Sequence, residues 1–178
     1  MSKLFDLHNK NVLLTGASKG MGLAMAQGLV NHGANVVISS RKLDQCQKAI
    51  ENINESIGQE KAFAFSCNAS SKDELNALVD FSISKLGSIT TLVCNAGVNS
   101  FFGSMSEIDD ESYDKTMDTN VKSNHWLINM VTPSMKESGG GSIMITSSIA
   151  AFHASETLGT YSISCLLYTS DAADEKRW

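Results

Sequence analysis

The sequence predicts an α/β fold, a doubly wound parallel sheet with helices on both faces. Three observations carry this reading. Five short runs are apolar on consecutive residues, stretches of helical periodicity separate them, and glycine follows several of those stretches. Runs apolar on both faces suit strands buried between two helical layers. Strict alternation of strand and helix then calls for right-handed crossovers and parallel pairing.

The first run, Val12-Leu13-Leu14, precedes a glycine turn and a helical stretch from Met21 to His32. Gly33 follows as a plausible helix-terminating residue. Asn35-Val36-Val37-Ile38 is the second strand. Leu43 to Ile57 then sets Ile50, Ile53 and Ile57 on one stripe, and Gly58 ends it. Ala62-Phe63-Ala64-Phe65 is the third strand. Ser71-x-x-Glu74 reads as a capping box opening a helix to about Leu86, before Gly87. Thr91-Leu92-Val93-Cys94 is the fourth strand. A helical stretch from near Ser106 to about Lys136 has the length of one helix or two, with the only proline, Pro133, near its end. Ser138-Gly-Gly-Gly-Ser142 leads into the fifth strand, Ser142-Ile143-Met144-Ile145. No repeat or linker divides the chain.

The 178 residues, 42% hydrophobic and 19% charged, fit one globular domain. A net charge of -5 argues against a nucleic-acid partner. No run approaches the roughly 18 apolar residues of a membrane span, and the N-terminal segment lacks the apolar core of a secretory signal. Cys46, Cys67, Cys94 and Cys165 form no CxxC pair and read as buried reduced thiols. The sequons at Asn54 and Asn68 are then chance matches. The expected protein is soluble and intracellular.

Thr15-Gly16-Ala17-Ser18-Lys19-Gly20-Met21-Gly22 lies between the first strand and the first helix. Glycines there allow a tight turn and close approach to a pyrophosphate, which a helix N-terminus attracts. Such a turn can be only a turn, but its place in the first βαβ unit points to a nucleotide. The second strand ends Ile38-Ser39-Ser40-Arg41-Lys42. Cofactors without a 2′-phosphate usually meet an acidic residue here. This chain offers a serine and two cations instead: Arg41 can fork a phosphate, Ser40 can donate to it, and Lys19 can reach the same region. A solvated charged loop is the alternative. The missing acid favours NADP(H), with NAD(H) as the second choice.

Reduction of a carbonyl needs an acid to protonate the developing alkoxide. A tyrosine serves reversibly only if a nearby cation stabilises its phenolate. Asn95-Ala96-Gly97 follows the fourth strand, Asn120 stands in Thr119-Asn120-Val121, and Ser148 lies thirteen residues before Tyr161. In this order the motifs resemble the short-chain dehydrogenase/reductase family as far as Ser164. The resemblance implies a Rossmann-like dinucleotide-binding oxidoreductase domain over residues 1–164, incomplete at its C-terminus, that interconverts a carbonyl and a secondary alcohol by hydride transfer. It implies Tyr161 as acid/base, Ser148 (with Ser147 as fallback) polarising the carbonyl, and Asn120 holding a water in the proton relay. It implies cofactor contacts from Thr15, Gly16, Ser18, Lys19, Gly20, Met21, Gly22, Ser40, Arg41, Asn68, Asn95, Ala96, Gly97 and Tyr161. Asn68 stands where the family often has an aspartate facing the adenine, and Cys94 where it usually has a second asparagine. Ser39-Ser40-Arg41-Lys42, Val98-Asn99-Ser100-Phe101-Phe102-Gly103 and Leu158-Gly159-Thr160-Tyr161 are similar to NADP-dependent carbonyl and retinal reductases of the peroxisomal type. The substrate implied is a small carbonyl or alcohol and the assembly a homodimer or homotetramer. The expected compartment is the cytoplasm, or the peroxisome if a signal lies in the missing C-terminus. A methyltransferase or other Rossmann-like enzyme fits the alternation but not the glycine turn combined with Ser148 and Tyr161. His153 and Glu156 have no companion ligands and read as a surface loop, so no metal is expected.

Cys165 stands where the family has the lysine of Tyr-x-x-x-Lys. Residues 165–178 resemble the conceptual translation of a transposase adapter from sequencing libraries, one frame of which encodes CLLYTSDAADE. The expectation is that natural sequence stops at about Ser164 and that a foreign tail follows. The lysine, two further strands and most of the substrate pocket are then missing, leaving a hydrophobic sheet edge and face exposed. The alternative is a genuine divergent C-terminus, which makes the chain a nucleotide-binding module without catalysis.

Overall fold

The five apolar runs form one parallel sheet in a computed structural model that describes residues 3–153 and 155–169. The strands are β1 (Asn11–Thr15), β2 (Asn35–Ser40), β3 (Ala62–Ser66), β4 (Thr91–Cys94) and β5 (Ser142–Ile145). Their order is β3-β2-β1-β4-β5. Winding therefore reverses between β1 and β4, and a crevice opens beyond the carboxyl ends of these two strands. Leu13 pairs with Val37 and Leu92, and Leu14 with Ile38 and Val93.

Successive strand residues point to opposite faces, which divides the core in two. Helices α1 (Gly20–Asn31) and α2 (Leu43–Ile57) cover the face carrying Val12, Leu14, Val36, Ile38 and Val93. Helix α3 (Lys72–Leu86) and the later α5 (Ser123–Glu137) cover the face carrying Leu13, Val37, Leu92 and Cys94. The strands are thus apolar on both sides because both sides are covered. Gly58, in the left-handed region at φ 64°, ends α2 as expected.

Two expectations are corrected. The capping box at Ser71 is only half formed: Ser71 Oγ accepts from Glu74 N–H at 3.3 Å. The Glu74 carboxylate instead accepts from Asn68 N–H at 2.8 Å, so its charge fixes the loop after β3. The stretch expected from Ser106 begins at α4 (Asp110–Met117), where Asp109 caps the helix by accepting from Ser112 N–H at 2.7 Å. One long helix follows, interrupted rather than broken. Between α4 and α5 lies a π-helical stretch, Asp118–Lys122, after which Ser123 N–H reaches back five residues to Asp118 O. Helix α6 (Gly159–Leu166) is the last described element.

Among the described residues β5 has β4 as its only neighbour. Ile143 and Met144 are 40% and 49% exposed, so the hydrophobic edge and face expected from the sequence are present. Leu92, one strand inward, is fully buried. This contrast sets an expected stability difference. Leu92→Ala costs about 2–5 kcal/mol in urea unfolding, and Met144→Ala less than about 1 kcal/mol. Equal costs would contradict the open β5 side.

Candidate active site and nucleotide cleft

The floor of the crevice is built by close contact between the ends of β1 and β4. Gly16 has φ 68°, and a Cβ there would lie 2.7 Å from Ala96 Cα. Gly22 sits on α1 so close to the turn that a Cβ would lie 2.4 Å from Gly16 O. Polar bonds lock the same junction. Thr15 Oγ1 accepts from Asn95 N–H and Ala96 N–H, each at 3.2 Å. Asn95 Nδ2 donates to Thr15 O at 3.2 Å and to Gly16 O at 2.9 Å, while Thr146 Oγ1 donates to Asn95 Oδ1 at 3.3 Å. Asn95 is therefore a cross-brace joining β1, β4 and the end of β5.

Above this floor lies a cavity of about 1130 Å³. Ten of the expected cofactor residues line it: Thr15, Gly16, Ser18, Lys19, Ser40, Arg41, Asn68, Asn95, Ala96 and Gly97. Gly20, Met21, Gly22 and Tyr161 are not among its lining residues. The Met21 side chain is 69% exposed, and Gly22 serves packing behind the turn. Lys42, the second cation of the motif after β2, also lines it, as do Gln45 from α2 and Glu111, Lys115 and Asp118 from the α4 side, which no motif marks.

Lys19, Arg41 and Lys42 have no carboxylate within ion-pair distance among the described residues. On a chain of net charge -5 these cations make a local positive field suited to an anion. Ser40 also shapes the turn it occupies. Its Oγ accepts from Lys42 N–H at 3.3 Å and lies 3.1 Å from Cys46 Sγ. Asn68 is held by the Glu74 carboxylate and by its own Oδ1, which accepts from Ser70 N–H at 3.2 Å.

The catalytic candidates gather around the π-helical stretch. Asn120 is 7% exposed. Its Oδ1 accepts from Val98 N–H at 2.8 Å, and its Nδ2 donates to Val98 O and Ser164 Oγ, each at 2.9 Å. The same stretch carries the Asn120 carbonyl. That oxygen accepts from Asn124 Nδ2 and from Tyr168 Oη, both at 2.8 Å. Protein groups thus occupy both ends of the residue expected to hold a relay water.

Ser147 and Ser148 separate by geometry. Ser147 Oγ donates to Cys165 O at 3.1 Å and so anchors α6. Ser148 Oγ accepts from Ala150 N–H at 3.2 Å and lies on the side of Tyr161 where it acts on the phenol. Burial raises the Tyr161 phenol above its ordinary pKa, Ser148 opposes the rise, and Cys165 adds to it. All four cysteines are free and buried, and burial pushes the Cys67 and Cys94 thiols up to about 12. Among the described residues no group of three or more His, Cys, Asp or Glu side chains is placed to hold a metal, and no helix is long and apolar enough to cross a membrane.

Strand order, glycine turn and crevice together define a Rossmann-like α/β domain. Residues 10–165 match the short chain dehydrogenase family, and the chain belongs to the short-chain dehydrogenase/reductase family. It is 37% identical over 165 residues to Dehydrogenase/reductase SDR family member 4 of Homo sapiens, covering 92% of this chain and 58% of that protein. The Caenorhabditis elegans protein of the same name is 35% identical over 154 residues, covering 86% and 59%. The chain therefore spans less than two thirds of the length of these relatives. Among solved structures it is similar to a 7α-hydroxysteroid dehydrogenase complexed with NADH and 7-oxo glycochenodeoxycholic acid. That likeness has 32% identity and a TM-score of 0.85, covering 94% of this chain and 65% of the other. An NADH-dependent reductase complexed with NAD is 27% identical, with a TM-score of 0.83 and coverage of 92% and 70%.

The environment of Tyr161 sets a further expected outcome. Cys165→Lys replaces a neighbour that raises the phenol pKa with a cation that lowers it. Ultraviolet titration, corrected by a Tyr161→Phe control, should show ionisation at lower pH than in the parent chain. An unchanged or higher midpoint contradicts the placement of residue 165 beside Tyr161.

Proposed function

We propose that this chain is the nucleotide-binding and acid/base part of an oxidoreductase that interconverts a carbonyl and a secondary alcohol, with NADP(H) preferred over NAD(H). The observation that carries the cofactor reading is the set of unpaired cations lining the cavity, Arg41 and Lys42 after β2 and Lys19 in the turn after β1, with no carboxylate paired to them among the described residues. The floor fits a dinucleotide, because Gly16 and Gly97 leave backbone open at a strand end that faces the cavity. Gly16, Ser18 and Lys19 would hold the pyrophosphate, Ser40 and Arg41 the 2′-phosphate, Asn68 the adenine, and Asn95 to Gly97 the inner end. The solved relatives complexed with NAD or NADH support a nicotinamide cofactor, and the preference for NADP(H) rests on the cations alone.

A bound reduced nicotinamide supplies hydride to the carbonyl carbon. Tyr161 Oη gives its proton to the carbonyl oxygen, and Ser148 Oγ donates a hydrogen bond to that oxygen and polarises the bond. Asn120 positions this end by fixing Val98 and Ser164 around Tyr161. The reverse step needs Tyr161 as a phenolate, and burial beside Cys165 works against that charge. The parent enzyme is therefore the active species, a homo-oligomer acting on a small molecule, and residues 165–178 are foreign to it. A second reading rests on Cys165 itself: the chain as written binds nucleotide without turnover.

Restoring lysine at 165 together with the C-terminal segment of a complete gene tests both. NADPH absorbance followed over a panel of carbonyls should show turnover, and Tyr161→Phe should lower kcat about 10²–10⁴-fold. Turnover insensitive to Tyr161→Phe would overturn its assignment. Binding without turnover across the panel would favour the second reading.

A further inference from the structure

The wall of the nucleotide cavity opposite the β2–α2 loop carries a cation outside every motif. Lys115 lines the cavity from α4, with Glu111 and Asp118 beside it. Asp118 is already neutralised, since Lys122 Nζ lies 3.1 Å from its Oδ1. Glu111 precedes Lys115 by four residues, the spacing of a helix ion pair. No bridge joins them, and Lys115 has no acidic partner among the described residues. The cavity thus holds four cations, Lys19, Arg41, Lys42 and Lys115, against two carboxylates, one of them occupied. Such a set on an acidic chain is relieved by an anionic ligand rather than by the protein itself.

A second contact fixes which end of the cavity Lys115 serves. Ser70 Oγ and Thr119 Oγ1 lie 2.8 Å apart, joining the loop after β3 to this helix. Lys115 and Thr119 are four residues apart and share one helix face. Lys115 therefore stands on the side of the helix that meets the loop bearing Asn68 and Ser70. We propose that Lys115 is a cofactor-binding residue that grips the phosphate-bearing adenosine half of the dinucleotide from the α4 wall, facing Ser40 and Arg41 across the cleft. This rests on the reading of the cavity as an NADP(H) site. A lysine suits the task, being a compact charge on a flexible stem that needs no fixed geometry.

Calorimetric titration of the full chain with 2′-phospho-ADP-ribose and with ADP-ribose tests the assignment without turnover. The parent chain should bind the phosphorylated ligand more tightly. Lys115→Gln should weaken that ligand about tenfold, the size of one charge-assisted contact, and ADP-ribose by less than about twofold. Lys115→Arg should retain the preference. Unchanged affinities, or equal losses for both ligands, overturn the role of Lys115 while leaving the cavity a nucleotide site. Binding of neither ligand to the parent chain, with its circular dichroism intact, overturns the cofactor reading and this proposal with it.

Discussion

One buried amide joins the two ends of the site. Asn120 pairs with both backbone groups of Val98, much as a neighbouring strand would, and so extends the order of β4 past its last ladder bond. Buried backbone groups need such partners, and no strand reaches Val98 to supply them. The same Nδ2 donates to Ser164, three residues beyond Tyr161. The loop leaving the nucleotide floor, the long helix and α6 are thereby fixed to one another. Asn120 lies in the π-helical stretch, and its carbonyl accepts from the side chains of Asn124 and Tyr168 as well.

The cleft makes opposite electrostatic demands at its two ends. At the nucleotide end, cations must remain unpaired within the protein so that a phosphate can pair with them. Lys19, Arg41 and Lys42 meet that condition. At the other end Tyr161 is a half-buried phenol, whose ionisation desolvation penalises and a cation would offset. Here the chain provides Ser148, which helps, and Cys165, which does not.

The strands were legible because burial on both faces leaves a continuous apolar signature, and each run lies within one or two residues of its strand. Glycine marked the ends of α2 and α3 for the conformational reason expected. The glycine turn was found as a unit, but its residues divide: Gly16 forms the floor, Gly22 packs behind it, and Met21 points away. Spacing chose Ser148 over Ser147, and the structure gives the two hydroxyls different partners, Ala150 N–H and Cys165 O. What remained hidden was tertiary. A π-helical turn has no sequence period of its own, so the stretch containing Asn120 read as ordinary helix. Lys115 and Glu111 carry no sequence signal, since only the Ser70–Thr119 contact shows that their face meets the cavity. The half-used capping box escaped for the same reason, because the Glu74 carboxylate was claimed by Asn68.

The central claim is that an anionic dinucleotide lies between the turn after β1 and the end of β4, with its adenosine phosphate against the end of β2. A crystal structure of the chain grown with NADP⁺ tests this most directly. Density should run from Ser40 and Arg41 across Gly16 to Asn95–Gly97, with the phosphate at Arg41. Ordered NADP⁺ placed anywhere else, or lying in this cleft with its 2′-phosphate turned away from Arg41, would contradict the account.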